Sequence, residues 1–212
     1  MNRRQLIAGA GAALIASSPL KVLSECVNVP GGLLGCSYGT RKHFQIVVQD
    51  CPERCWAAST AGIFGYHGHP IDQDDIAMTI FKTLECKDAG QPAVLTAVLS
   101  KVWTDTNGKD FKATVTGLDD PLDGVYGLDN DDIVSSMLAG NPMLYANKTH
   151  AMVIVGIEYR KDAMGNLVAI DDVRVGDPFP GKGIRSLSLT ETIPINRGGE
   201  MTYLASVDVH DV

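Results

Sequence analysis

The spacing of apolar residues changes once along this chain, and that change limits the fold more than any other feature. In its first part, apolar residues recur at helical intervals. Residues 55–64 form a compact run of small and apolar side chains. Ile76, Ala77, Ile80, Phe81 and Leu84 share one face of a helix beginning near Asp72. Leu95, Val98, Leu99 and Val102 do the same over residues 93–103, and a fourth helix is expected over 130–138, capped by Asn130 and stopped at Gly140. Beyond that glycine the pattern becomes that of strands, at residues 142–146, 151–159, 167–175 and 201–207, with Met164-Gly165-Asn166 as a turn between the middle two. Upstream, residues 30–37 read as a loop around Gly31, Gly32 and Gly35, and residues 44–48 as a short strand leading to Gln49. Helices first and strands afterwards, in one chain of this length, mean an α+β fold.

A chain of 212 residues has room for one ordinary domain plus a short leader, and no repeat or low-complexity tract divides it. The leader is expected at residues 1–24. Arg3-Arg4 precedes a mild apolar stretch, Leu6 to Ser18, with the small residues Ala16-Ser17-Ser18 near its end; this is the pattern of an export signal and resembles a twin-arginine one. The stretch is too short and too weakly apolar to span a membrane, so no stable insertion is expected once the signal is removed. Residues 25–212 are then a single domain delivered to the periplasm or the exterior. A net charge of -7, with no basic run beyond Arg3-Arg4 and Arg41-Lys42, argues against nucleic acid or an anionic membrane surface as partner.

Five cysteines, Cys26, Cys36, Cys51, Cys55 and Cys86, are an odd number. In an exported chain that predicts two disulfides and one free thiol. Cys55 opens a predicted helix, where unpaired backbone N–H groups favour negative charge on sulfur; Pro52 and Glu53 suit the start of that helix. If Cys55 is the free thiol, the other four can pair in three ways.

The surroundings of Cys55 carry a family resemblance. Gln49-Asp50-Cys51-Pro52-Glu53-Arg54-Cys55-Trp56-Ala57-Ala58-Ser59 resembles the active-site segment of papain-like cysteine peptidases, in which a Gln stands six residues before a Cys-Trp-Ala run. Thr149-His150-Ala151-Met152-Val153-Ile154-Val155-Gly156-Ile157 is similar to their histidine segment, a His entering a strand of small and apolar residues. Val173-Arg174-Val175-Gly176-Asp177-Pro178-Phe179-Pro180-Gly181 resembles the third segment of the peptidase C39-like branch, with Asp where papain itself has Asn. The chain departs from the family between the two cysteines, where Pro52-Glu53-Arg54 replaces Gly-Ser and widens the pair by one residue.

The resemblance implies a helical half carrying the nucleophile packed against an antiparallel β half, with the active-site cleft between. It implies Cys55 as nucleophile, His150 as its base, Asp177 as the group orienting His150, and Gln49 with the Cys55 amide as oxyanion hole. Trp56 is a core residue next to the nucleophile that can pack under the cleft. The family ties the loop before its nucleophile to a downstream cysteine; on that resemblance Cys51 pairs with Cys86, and Cys26 with Cys36. No cofactor is implied, and the partner is a peptide or protein substrate.

Rival readings exist for the same residues. Acyl transfer to an amine would use the same three groups, and an inactive peptide-binding module could share the fold. Cys51, Cys55, His67 and His69 form a Cys-x3-Cys…His-x-His set that a zinc site could use, although the His spacing is tighter than usual. The acidic clusters at Asp72 to Asp75, Asp119-Asp120, Asp129 to Asp132 and Asp171-Asp172 read as caps and solvated loops, none with the spacing of a calcium loop. The oligomeric state is not legible.

Overall fold

The computed structural model describes residues 25–40 and 43–212; the export signal expected at 1–24 and the Arg41-Lys42 pair lie outside the described residues. In chain order the elements are β1 (Glu25–Val29), β2 (Leu33–Gly39), α1 (Cys55–Tyr66), α2 (Gln73–Phe81), α3 (Pro92–Val98), β3 (Val102–Thr104), β4 (Asp110–Asp120) and β5 (Val125–Tyr126). There follow α4 (Asn130–Ala139), β6 (Met143–Asn147), β7 (Ala151–Lys161), β8 (Leu167–Asp177), β9 (Gly183–Ser186), α5 (Leu189–Thr192), a 3-10 turn (Ile195–Arg197) and β10 (Met201–Asp211). The architecture is α+β. The strands join in one antiparallel sheet in the order β1-β2-β7-β6-β10-β4-β3, with β5 on β4, β8 on β7 and β9 on β8.

The centre of the sheet is covered on both faces, which explains why β6 and β7 read as nearly unbroken apolar runs. Side chains alternate along each strand. Leu144, Ala146, Val153, Val155, Tyr203 and Ala205 face one layer, with Trp56, Ile63 and Phe64 of α1, Ile76 of α2, and Leu95 and Val98 of α3. Met143, Tyr145, Met152, Ile154 and Leu204 share the other face with Cys36 and Tyr38 of the neighbouring β2, against Val134 and Met137 of α4.

Helix α1 lies so deep that Cys55 through Phe64 are all buried. The buried hydroxyls of Ser59 and Thr60 are therefore satisfied internally: Thr60 donates to the Trp56 carbonyl at 2.8 Å, and Ser59 to the Ala151 carbonyl at 3.0 Å. Gly62 admits Phe44 against the helix, since a Cβ there would stand 2.9 Å from the Phe44 ring.

Four expectations are corrected. Residues 30–37 are not a loop: Gly31 and Gly32, at φ +88° and +73°, turn the chain between β1 and β2, and Cys26 stands directly opposite Cys36 in the hairpin. Residues 44–48 are not a strand. That segment has strand-like residues but joins no ladder; it packs through buried Phe44 on α1 and over Gly176. The third helix ends at Val98, because Val102–Thr104 pairs with β4 instead, and Trp103 donates its indole N–H to the Val98 carbonyl at 3.0 Å. The fourth helix is capped by Asp129 rather than Asn130, in a capping box with Asp132.

Candidate active site

Cys55 is the first residue of α1, and its position is fixed by the loop before it. Cys51 is disulfide-bonded to Cys86, and Cys26 to Cys36, so Cys55 is the one free cysteine among the described residues. Arg54 is buried and grips the surroundings with its guanidinium. It donates to Asp50 at 2.8 Å, and also to Asp74 and to the Leu84 carbonyl. Trp56 sends its indole N–H to the Lys87 carbonyl at 2.9 Å and meets Phe81 edge-on. The segment around Cys86 is thus held by a disulfide, by Arg54 and by Trp56, and Cys55 sits between the last two.

Across the seam stands His150, at the end of the tight β6–β7 turn. Asn147 sets that turn, its side-chain oxygen accepting from the Thr149 and His150 amides at 3.0 and 2.9 Å. The next residue, Ala151, joins both halves through one backbone unit. Its N–H donates to the Cys55 sulfur at 3.3 Å, and its carbonyl accepts from Ser59, one helical turn further along α1.

Asp177 closes the group from the end of β8. Its Oδ1 accepts from His150 Nε2 at 2.6 Å and from the Phe179 amide at 2.9 Å. With Nε2 on Asp177, Nδ1 is the ring nitrogen left to face Cys55. Burial works against a charge on His150, yet the hydrogen bonds to Asp177 and Cys55 outweigh it and raise its pKa to about 9. Burial likewise opposes charge on Asp177, but His150, the Phe179 amide and Arg185 overcome it and hold the carboxyl near 2. His150 and Asp177 are therefore a charged pair at neutral pH.

Gln49 lies at the base of the loop before Cys55, its backbone N–H on the Pro178 carbonyl at 2.9 Å. Its side-chain amide donates to the carbonyls of Cys51 and Pro52 at 2.9 and 2.8 Å, so both N–H groups are spent on that loop, and Oε1 is buried with no hydrogen-bond partner among the described residues.

The zinc set is not assembled. Cys51 is in a disulfide, and His69 is stacked on Phe111 between Asp105 and Asp211 at 3.4 and 3.2 Å.

A cleft of about 320 Å³ opens onto Cys55 and His150, walled by Gly90 and Leu95 on one side and by Leu122 and Ile195 on the other. A larger cavity of about 540 Å³ lies against the Tyr145–Ile154 face of the sheet, and neither Cys55 nor His150 lines it.

Sequence reasoning did not find Arg185 and Glu191. Arg185 Nε donates to Asp177 Oδ2 at 3.1 Å, while its terminal nitrogens hold both Glu191 oxygens at 3.1 and 2.7 Å. The register could have suggested the first contact: Asp177 pairs with Gly183 and Val175 with Arg185, a diagonal that a long side chain spans.

No family model matches the chain, and no curated protein matches it either. Solved structures similar to it include a double-glycine-motif protease from an AMS/PCAT transporter in complex with the leader peptide, at 14% identity and TM-score 0.42, covering 79% of this chain and 91% of that one. The peptidase domain of Streptococcus ComA, a bifunctional ABC transporter of a quorum-sensing pathway, is similar at 15% identity and TM-score 0.43, covering 80% and 100%. UfSP from C. elegans is similar at 13% identity and TM-score 0.43 over 93% of this chain and 36% of that one.

Proposed function

We propose that this chain is an exported cysteine peptidase that hydrolyses amide bonds through Cys55, His150 and Asp177. The observation that carries the reading is the convergence on one cleft of a free thiol at a helix N-terminus and a histidine whose far nitrogen is bound to a buried carboxylate at 2.6 Å.

In the proposed reaction the Cys55 thiolate adds to the scissile carbonyl carbon. The oxyanion is met by the Cys55 amide and, once it releases a loop carbonyl, by the Gln49 side chain. His150 delivers a proton to the leaving nitrogen as the C–N bond breaks, leaving an acyl-thioester. It then takes a proton from water as the hydroxyl adds, and the thiolate departs from the carboxylic acid product. Asp177 holds the ring with Nδ1 toward sulfur throughout. Two disulfides in so small a chain suit an oxidising compartment, in keeping with an export signal at 1–24 and a domain over 25–212. Among the described residues no helix is long and apolar enough to cross a membrane.

Brief iodoacetamide treatment under non-reducing conditions, followed by intact mass and peptide mapping, tests this. One adduct on Cys55, strongly slowed in His150→Ala at neutral pH, supports an activated thiol, and amide hydrolysis should vanish in Cys55→Ala. Labelling as slow as a free thiol and indifferent to His150, or full activity in Cys55→Ala, refutes the proposal.

A further inference from the structure

We propose that Arg185, held in place by Glu191, is the positioning residue of the active site: it fixes the plane of the Asp177 carboxylate and through it the orientation of His150. This inference rests on the peptidase reading above.

Both oxygens of Asp177 are specified. Oδ1 carries His150 Nε2 and the Phe179 amide; Oδ2 carries Arg185 Nε. Asp177 is about 5% exposed, so Oδ2 without Arg185 would be a charged oxygen shut away from water. The cheapest relief is for the carboxylate to swing about its remaining bonds toward solvent, and that motion draws Oδ1 off the histidine.

Glu191 makes this grip directional. It occupies the third position of the α5 capping box, where its carboxylate accepts from the Ser188 amide at 2.8 Å, and the carbonyl of the same residue accepts from Tyr145 at 2.8 Å. So anchored, it takes the two terminal nitrogens of the guanidinium as a fork and leaves Nε as the donor facing Asp177. A lysine could supply the charge but not both contacts at once. The charge balance also fits. Arg185 and Glu191 cancel, so the cluster of Asp177, Arg185 and Glu191 keeps one negative charge for the imidazolium of His150. Arg185 thus holds the carboxylate while Glu191 prevents it from neutralising the carboxylate's effect on the base.

The groups facing this pair are few: Cys55 and Asp177 at His150, and His150 and Arg185 at Asp177. The test is the pH profile of Cys55 labelling by iodoacetamide, which needs no substrate. The upper step of that profile, where the imidazolium gives up its proton, should stand near 9 in the unmodified protein. The double variant Arg185→Gln/Glu191→Gln removes the pair without changing net charge. Its upper step should fall by about one pH unit as the hydrogen bond to His150 loosens. Arg185→Lys should fall between the two. If either variant folds with the upper step unmoved, Arg185 is merely structural and the inference is overturned. Should the double variant not fold, Arg185→Lys and Glu191→Gln decide alone by the same criterion. An unmodified protein with no such step would refute the peptidase reading itself, and this inference with it.

Discussion

Replacing Asp177 by Asn is the most informative single perturbation, because the side chain keeps its shape and loses only its charge. The papain-like resemblance of the sequence, in which papain has Asn where Asp177 stands, would lead one to expect a mild effect. The surroundings say otherwise. An Asn oxygen can take the place of Oδ1 and still accept from His150 and the Phe179 amide, but its NH2 must then face Arg185 Nε, donor against donor. Turning the amide over relieves Arg185 but presents an N–H to His150 Nε2, which moves the ring proton to Nδ1 and leaves no base for Cys55.

The magnitude follows from His150, raised from 6.5 to about 9 against the cost of burial. A charge-assisted hydrogen bond is about twice as strong as a neutral one. Losing that half should lower the His150 pKa by about 1–2 units, or about 1.4–2.7 kcal/mol of support for the imidazolium. Hydrolysis measured as kcat/KM should therefore fall by about 10- to 100-fold at neutral pH and not vanish. Its alkaline limb should move toward neutrality in the same variant. An alkaline limb still near 9, or an unchanged rate, would mean that the charge of Asp177 does not act on His150 and would refute the reasoning.

Three further outcomes are expected. Ser59→Ala removes the buried hydroxyl that satisfies the Ala151 carbonyl and should cost about 1–3 kcal/mol in denaturant unfolding, with slower labelling of Cys55; unchanged labelling would show that this bond does not align the two halves. In Gly199→Ala the new Cβ would lie 2.0 Å from the Ile193 carbonyl oxygen, a backbone atom that cannot turn aside, so the Ile195 wall of the cleft must move and stability should drop by about 2–3 kcal/mol; an unshifted melting temperature would count against this local geometry. Stability should also depend on pH through His150. Its folded pKa is raised, so its contribution is whole below the unfolded value of 6.5 and is lost as pH climbs through about 9. The fall in melting temperature over that window should shrink in His150→Gln, and an equal fall in both proteins would assign it elsewhere.

What the sequence disclosed is what short stretches of chain determine. The helix that begins at Cys55 is legible from its small and apolar run, and β7 from a continuous one. The hairpin of β1 and β2 was hidden because its two glycines resemble a loop when the strands flanking them are short. Strand β4 carried a signal, since Phe111, Ala113 and Val115 alternate, but its partner β10 lies some ninety residues away, and it is pairing with β4 that makes Trp103 strand rather than helix. Residues 44–48 failed for the opposite reason: local preference favoured a strand, but the segment joins no ladder and packs instead through Phe44 on α1 and over Gly176. Arg185 and Glu191 have no motif at all; their role exists only once the turn between β8 and β9 folds Arg185 back onto Asp177.

The alignment of the site is a property of packed elements rather than of loops. The N–H and carbonyl of Ala151 reach α1 at Cys55 and Ser59, so the residue after His150 is tied to the helix of Cys55 at two points one turn apart. Two points fix a rotation as well as a distance. His150 therefore cannot change its angle to Cys55 by bending its turn alone; α1 would have to roll within a layer where ten of its twelve residues are buried. The freedom that remains is that of the imidazole about its own side-chain bonds, and Asp177 restrains it from the far nitrogen. Helix, strand and carboxylate each remove a different motion, so substitutions at Ser59 and at Asp177 should be separable: the first should reduce labelling of Cys55 without moving its pH profile, and the second should move the profile.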